Sequence, residues 1–461
     1  LPKWNLIYRP MGKTIKLTRG FDIHLEGGAL KVLGQTPLIP TYAIKPADVN
    51  GIKPKLLVKQ GDEVKAGSPL FIDKNNMEAM YCAPVSGEVV EIVRGDKRKL
   101  LEIRILADKS VDYLALGTKT ELAALDRESA IQGLLKSGVW PMLRMRPFAK
   151  VARPTDRPKA IVISAFDSAP LAPDYNFIMA GKAKGFQDGL EVLRLLTEGP
   201  VHLNLRGGEH SCDTYHKAEG VQKNHFFGPH PSGTVGVQIH HLDPIKKGDV
   251  VWYINPQDVI TIGKVFTEGR FDPLRTIAVT GAELGVRKYY ETRLGCGIEP
   301  FVRNNVTGQG NTRFVSGSPL LGDNVGAAGF MGFWDCQISA IHERDYPELQ
   351  GWLMPSYKRP SASMAFPWSM EPDTRFRANT STHGEERAFI MTGQYEKVLP
   401  MDIYPVYLLK AIMAKDIESM EGLGIYEVSE EEMAICEFVC TSKQPVTEWI
   451  RFGLDLIEKE G

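Results

Sequence analysis

The stretch "PKLLVKQGDEVKAGSPLFIDKNNMEAMYCAPVSGEVVEI", residues 54–92, decides how the first part of the chain folds. Its apolar runs are short, and turn-forming pairs interrupt them at Gly61-Asp62 and Ala66-Gly67. The continuation "GEVVEIVRGDKRKLLEIRIL", residues 87–106, gives two β-rich runs around a Gly95-Asp96 turn. Gly takes positive φ without steric cost and Asp bonds its own backbone, so such pairs reverse an extended chain. Residues 52–107 therefore predict a small closed β unit of about 55 residues.

Three pieces of this stretch, "VKQGDEVKAGSPLF", "DKNNME" and "APVSGEVVEI", resemble the biotinyl/lipoyl barrel-sandwich domain. A carrier of that family presents a lysine at the tip of a tight hairpin. In such carriers the Ala-Pro follows the Met-Glu closely, whereas here Ala79–Cys82 intervene. The expected hairpin is longer, with its tip shifted away from Lys74. The Met-Lys-Met pattern of biotin carriers is absent, since "MEAM" has no lysine. The reading is an armless structural domain with no covalent cofactor and Lys74 unmodified.

At 461 residues the chain has room for three or four domains of about 100–150 residues each. Hydrophobic residues make 43% and charged residues 24%, enough for large cores. A net charge of −1 leaves no electrostatic footprint for nucleic acid or an anionic membrane. No apolar run approaches the roughly 20 residues of a spanning helix; "VGAAGFMGFW", 325–334, is short and Gly-rich. "LPKWNLIYRP" carries charges and prolines where a signal peptide needs an apolar core, and "MGKTIKLTRG", 11–20, reads as a natural start. Residues 1–10 are expected to be an upstream extension of little consequence.

The six cysteines are dispersed except for Cys436 and Cys440. Neither the run that binds iron–sulfur clusters nor paired C-x-x-C zinc spacing occurs, so no metal site is expected. Cys436 and Cys440 share one helix face and read as two buried thiols.

Past the β unit the pattern changes. "ELAALDRESAIQGLLKSG", 121–138, has helical spacing and ends on Gly138. "KAIVISAFDS", 159–168, reads as a buried strand; "GFQDGLEVLRLLTEG", 185–199, as a helix stopped by Gly199; "VHLNLRG" as the next strand. Strand, helix and strand at these lengths predict a parallel, Rossmann-like layer. Neither G-x-G-x-x-G nor a P-loop appears, so the turn that cradles cofactor phosphates is not written here. "RTIAVTGAELGVRKYYETRLGCGIEPFV" and "NTRFVSGSPLLGDNVGAAGFMGFWDCQISAI" predict a compact α+β unit that resembles the soluble-ligand-binding β-grasp (SLBB) domain. The stretch 355–384, rich in Pro and Ser, reads as an extended, partner-facing segment or a linker. From 396 the pattern is helical, with Ser429 and Glu432 spaced as a capping box. The expected architecture is multidomain, α/β and α+β. Its parts are N-terminal strands plus the barrel-sandwich over 11–110, a Rossmann-like domain over 111–265, the β-grasp over 266–345, and an extended segment plus helical domain over 346–461.

The stretch richest in chemistry is "HFFGPHPSGTVGVQIHHLDPI", residues 225–245, with four His, two Phe and three Pro. Pro and Gly fix an irregular loop. Adjacent aromatics beside imidazoles suit a flat, redox-active ligand, since Phe faces stack and His supplies hydrogen bonds and protons near neutrality. A rigid loop with solvated His is the plain structural alternative. A His-metal site fits no common zinc spacing.

The order of units, with "FFGPHPSG", "RPFAK" and the closing "GLDLIEKEG", resembles the A component of the bacterial Na+-translocating NADH:quinone reductase (Na+-NQR) over nearly all of 11–461. Electron-entry subunits of complex I and of the Rnf complex are related to it. They carry a flavin and a cysteine cluster, and this chain lacks the cysteine run. The resemblance implies a peripheral component on the cytoplasmic face of the inner membrane, docked with subunits B, C, D, E and F. It implies ubiquinone or menaquinone as substrate and Na+ export by the complex. No cofactor is expected to be held tightly by this chain; NADH, flavins and the iron–sulfur cluster belong to the partners. Quinone contact is expected from His225, Phe226, Phe227, Gly228, His230, Pro231 and Gly233, with no catalytic residue assigned. The isolated chain is not expected to be catalytic. A non-catalytic scaffold capping the membrane subunits, or a flavin-binding electron carrier, are the alternatives.

Overall fold

Residues 12–344, 360–362 and 374–461 are described by the computed structural model. The upstream extension at 1–10, and residues 355–359 and 363–373 of the expected partner-facing segment, lie outside the described residues.

Strands β3 (Thr41–Ile44), β5 (Glu63–Val64), β8 (Gly87–Arg94) and β9 (Leu100–Ala107) make a four-stranded antiparallel sheet in the order β3-β9-β8-β5. Strands β4 (Pro54–Leu56), β6 (Pro69–Asp73) and β7 (Asn76–Cys82) make a three-stranded sheet. Val64, Leu70, Phe71, Tyr81, Val89, Ile103 and Ile105 fill the core of this barrel-sandwich, with the Phe71 and Tyr81 rings stacked at 4.5 Å. The turn between β6 and β7 corrects one expectation. Asp73 pairs with Asn76, so Lys74 and Asn75 are the two tip residues and Lys74 stands exposed there. The extra residues are absorbed as a register irregularity along β7, where Ile72 pairs with Met80, and do not lengthen the tip. The departure of the flanking residues from the carrier pattern is what remains of the argument against modification.

The second sheet has seven strands: β1 (Thr14–Lys16), β10 (Arg144–Arg146), β11 (Lys150–Val151), β12 (Ala160–Ser164), β13 (Val201–Arg206), β14 (Gln222–Phe227) and β15 (Val251–Tyr253). Their order is β1-β14-β13-β12-β15-β10-β11. The five from β1 to β15 run parallel, and β10 and β11 close one edge antiparallel. Both faces are covered, so alternate residues of each strand enter different cores. Ile161 and Ile163 point to helices α1 (Arg127–Lys136), α3 (Ala183–Leu196) and α6 (Pro256–Thr267). Ala160, Val162 and Phe226 point the other way, into a core shared with α5 (Val235–Leu242) and the C-terminal helices. Short helices α2 (Tyr175–Met179) and α4 (Asp213–Lys217) flank α3. Asp126 caps α1 by accepting from the Ser129 N–H. Gly199 does not stop α3, which ends at Leu196 with Thr197 already extended. A Cβ at Gly199 would lie 1.8 Å from the Lys159 carbonyl oxygen, and that close backbone approach is why glycine stands there.

The third sheet is six-stranded, with order β19-β18-β20-β16-β17-β2. It joins β2 (Leu30–Leu33) from the N-terminal segment to β16 (Leu274–Thr280), β17 (Lys288–Arg293), β18 (Thr312–Ser316), β19 (Asp323–Asn324) and β20 (Gln337–His342), with α7 (Glu299–Val302) between β17 and β18. The N-terminal segment therefore lends β1 to one sheet and β2 to another. The chain closes with α8 (Gln394–Val398), α9 (Pro405–Ala414), α10 (Ile417–Gly422), α11 (Glu430–Val439) and α12 (Val446–Glu460). Leu408, Leu409, Met433 and Ile450 of these helices enter the same core as Ala160 and Phe226. The tail is thus the cover of one face of the seven-stranded sheet.

Helices α3 and α6 approach closely through small residues. A Cβ at Gly189 would fall 1.9 Å from the Val259 carbonyl oxygen. Alanine is the better helix former by about 1 kcal/mol, so intrinsic propensity favours Gly189→Ala while packing opposes it. Packing should win: the variant should lose about 2 kcal/mol of unfolding free energy in urea denaturation.

Candidate functional site

Strands β13 and β14 lie on one side of β12, and β15 lies on the other. The loops leaving the carboxyl ends of β12 and β15 therefore part, and a crevice opens between them, as ligand sites do in open parallel sheets. It encloses about 370 Å³. A larger hollow of about 870 Å³ near Pro360 and Thr380 adjoins chain outside the described residues, and no site is built on it.

One wall of the crevice is aromatic. The Arg144 guanidinium lies 4.5 Å from the Tyr253 ring centre and 5.1 Å from that of Trp334, and Phe166 borders the same space. Arg144 Nε is buried and has no hydrogen-bond partner among the described residues. Tyr175 and Asn255 bond to each other at 2.6 Å on the floor, with Cys336 beside them.

The loop from Gly228 to Thr234 forms the opposite side. The Phe21 N–H donates to the His230 carbonyl, and the His230 N–H donates to Asp22 Oδ1, both at 2.8 Å. The His230–Pro231 peptide is cis. Ser168 Oγ accepts from the Gly233 N–H at 2.8 Å, so its own hydrogen is free for His230 Nδ1 at 3.0 Å. When the Ser168 hydroxyl donates in that contact, Nδ1 is the acceptor and the ring hydrogen sits on Nε2. His230 Nε2 is buried, has no hydrogen-bond partner among the described residues, and belongs to a side chain lining the crevice. Burial holds the imidazole neutral, with its pKa pulled down to about 4.

Beneath the crevice mouth lies a buried ion pair. Arg146 Nη1 and Nη2 each donate to Glu432 at 2.9 Å, one to each carboxylate oxygen, and Arg146 Nη2 also reaches Glu431 at 3.3 Å. Glu431 keeps 41% of its side chain open, and enclosure together with the Glu432 charge pushes its pKa up to about 7. Burial likewise raises the Asp167 carboxyl, and it raises the Cys336 thiol to about 11.

The seven residues singled out in "HFFGPHPSG" do not converge. His230 and Gly233 border the crevice. Phe226 and Phe227 are successive residues of β14, so their rings leave opposite faces of the sheet and cannot be two walls of one slot. Phe226 is wholly buried in the core under α5, and the Phe227 ring lies on Gly207, where a Cβ would come within 2.2 Å. His225 is exposed and sits opposite Thr14 of the edge strand. Pro231 is buried, and Gly228 allows close approach to Leu17. Arg144, Ser168, Tyr253, Trp334 and Glu431 were missed, because they come from five distant segments with no shared spacing. "RPFAK" did contain Arg146, without any sign of its partner.

The depressed His230 pKa has a definite consequence. The unfolded ring binds its proton near 6.5 and the native ring near 4, so between these values the unfolded state holds more protons and stability falls as pH drops. Going from pH 7 to pH 5, a His230→Gln variant should lose about 2 kcal/mol less unfolding free energy than the parent, read by urea denaturation at both pH values.

Three family models match this chain. Residues 15–108 match a family model described as the NqrA N-terminal barrel-sandwich hybrid domain, residues 125–271 the NqrA second alpha/beta domain, and residues 276–327 the NQRA C-terminal domain. The A component of the Na(+)-translocating NADH-quinone reductase of Rhodopirellula baltica is 38% identical over 459 residues, 97% of this chain and 98% of that one. The same component from Yersinia pseudotuberculosis is 37% identical over 97% of this chain and 100% of its own length, and that of Alcanivorax borkumensis is 35% identical over the same shares. A solved NAD+-reducing [NiFe]-hydrogenase aligns over 50% of this chain and 52% of its own, at 12% identity and a TM-score of 0.35. The full-length identity and the three matched domains place the chain in the NqrA family, the A component of the Na(+)-translocating NADH-quinone reductase.

Proposed function

We propose that the chain is the quinone-associated peripheral component of a Na+-translocating NADH:quinone oxidoreductase. It contributes to reduction of ubiquinone or menaquinone to quinol, coupled to Na+ export by the complex. The observation that carries this reading is the unpartnered His230 Nε2–H in a crevice walled by Phe166, Tyr253 and Trp334. A quinone head group is flat and uncharged, and its two carbonyl oxygens accept hydrogen bonds. Aromatic plates suit its ring, and His230 Nε2–H and Arg144 Nε–H suit its oxygens. Of the residues singled out in the sequence, His230 and Gly233 take part directly. His225, Phe226, Phe227, Gly228 and Pro231 lie outside the crevice lining.

Quinone takes up two electrons and two protons to become quinol. In this reading the electrons come from partner subunits, where NADH is oxidised and the flavins and iron–sulfur cluster reside. No group of three or more His, Cys, Asp or Glu among the described residues is arranged to hold a metal ion. His230 stays neutral down to a pH of about 4, so its part is to donate a hydrogen bond. Glu431, whose carboxyl is raised by enclosure and by the Glu432 charge and which opens to the crevice mouth, is the group this reading assigns to passing protons. None of the described helices is long and apolar enough to cross a membrane, which accords with a peripheral place beside subunits B to F on the cytoplasmic face.

The test uses the assembled complex. With His230→Phe, which keeps a flat ring and removes both ring nitrogens, the KM for quinone should rise about tenfold, the loss expected for one buried hydrogen bond of about 1.4 kcal/mol. NADH oxidation by an artificial acceptor should persist. Phe227→Ala should leave quinone kinetics at the parent values. If His230→Phe also keeps the parent affinity and turnover, the crevice is structural and the chain is a scaffold that caps its partners.

A further inference from the structure

Open α/β sheets bind cofactor phosphates at the amino end of a helix beside the switch point, where free N–H groups and the helix dipole favour an anion. Here that place is taken by the chain itself. The first turn of α5 donates to a carboxylate, with the Gly236 N–H on Glu432 Oε1 at 2.9 Å. The same carboxylate caps its own helix: the Ser429 N–H and Ser429 Oγ donate to Oε2 at 3.0 and 2.8 Å. Arg146 grips both oxygens from the sheet edge. Two helix amino ends and one guanidinium therefore meet on a single side chain that is 0% exposed. A helix terminus carries about half a positive charge, so roughly two positive charges face one carboxylate. Gly236 makes the room, because a Cβ there would come within 2.5 Å of Glu432 Oε1.

We propose that Glu432 is a built-in anion: the C-terminal tail supplies the negative charge a ligand phosphate would bring, and so shuts the phosphate seat of this fold and reserves the crevice for uncharged rings. Arg146 also lies 5.4 Å from the Tyr253 ring centre, so the reservation of the crevice for rings rests on the quinone reading, while the rescue below tests the seat by itself.

Chemical rescue tests it on the full chain. Glu432→Ala should lower the thermal midpoint by about 10 °C, because it takes the two-oxygen partner from a buried guanidinium, leaving it only the 3.3 Å contact with Glu431, and frees the Gly236 and Ser429 N–H groups. Sodium formate or inorganic phosphate in the millimolar range, against chloride at equal ionic strength, should restore at least half of that loss. The parent, and a Glu431→Ala variant whose seat is still filled, should show no such gain. Adding Arg146→Met to Glu432→Ala should abolish the rescue. Recovery of folded Glu432→Ala only from formate or phosphate buffer counts as the same rescue. The proposal is overturned if neither ion stabilises Glu432→Ala beyond chloride, if the parent responds equally, or if the variant fails to fold with or without the ions.

Discussion

The paired guanidinium and carboxylate of Arg146 and Glu432 is the contact on which the rest of the arrangement depends. Arg146 ends β10, at the antiparallel edge of the seven-stranded sheet, and Glu432 lies 286 residues later in the first turn of α11. Both are fully buried. Removing one partner from a pair of this kind leaves an unpaired charge in a medium that solvates it poorly, at a cost of about 3–5 kcal/mol. The geometry is also directional, since the two parallel N–H···O bonds of a guanidinium fix the carboxylate in a plane. The pair therefore sets where α11 sits on the sheet, and with it Glu430 and Glu431 at the crevice mouth.

A second constraint runs under α5. The Asn224 side-chain amide donates to Asn204 Oδ1 at 2.8 Å, Asn204 donates to Gln238 Oε1 at 2.9 Å, and Gln238 donates to Ser164 Oγ at 2.8 Å. His202 closes the far end at 3.2 Å from Asn224, and the Lys13 N–H donates to Asn224 Oδ1 at 2.9 Å. Asn204, Asn224 and Gln238 are wholly buried. Left unpaired, each buried amide group would cost about 1–3 kcal/mol, so the ladder ties α5 to β12, β13 and β14 in one register. The loop carrying His230 enters α5 directly, and its position follows from that register. The crevice thus lies between two polar devices, an ion pair at its mouth and an amide ladder behind it, on a sheet otherwise packed with aliphatic and aromatic residues.

The cysteines stay out of this chemistry. Burial raises Cys82 and Cys296 to about 12 and pushes Cys436 up as well, so the reactive thiolate form is disfavoured at each. Cys440 lies against the Tyr395 hydroxyl at 2.9 Å, in the core beneath the tail. These thiols act as small apolar fillers.

By itself the sequence determined the local elements. Turn pairs at Gly61-Asp62 and Gly95-Asp96 and alternating runs wrote the barrel-sandwich, because a tight turn and a half-buried strand need only neighbouring residues. "KAIVISAFDS" and "VHLNLRG" likewise wrote two parallel strands, and Ser429 with Glu432 wrote a capping box that forms as spaced. What only the tertiary structure decided is which distant groups meet. The capping box gave one half of the role of Glu432; Arg146 and Gly236, the other half, are brought to it by the stacking of the tail on the sheet. Phe226 and Phe227 looked like one aromatic wall in the sequence, yet strand pleating sends them to opposite faces. "VHLNLRG" read simply as a strand, and only the covering by α5 turns His202 and Asn204 into a buried ladder. Periodicity reports which way a side chain points relative to its neighbours. It carries no information on which element will cover that side, and that covering built the crevice.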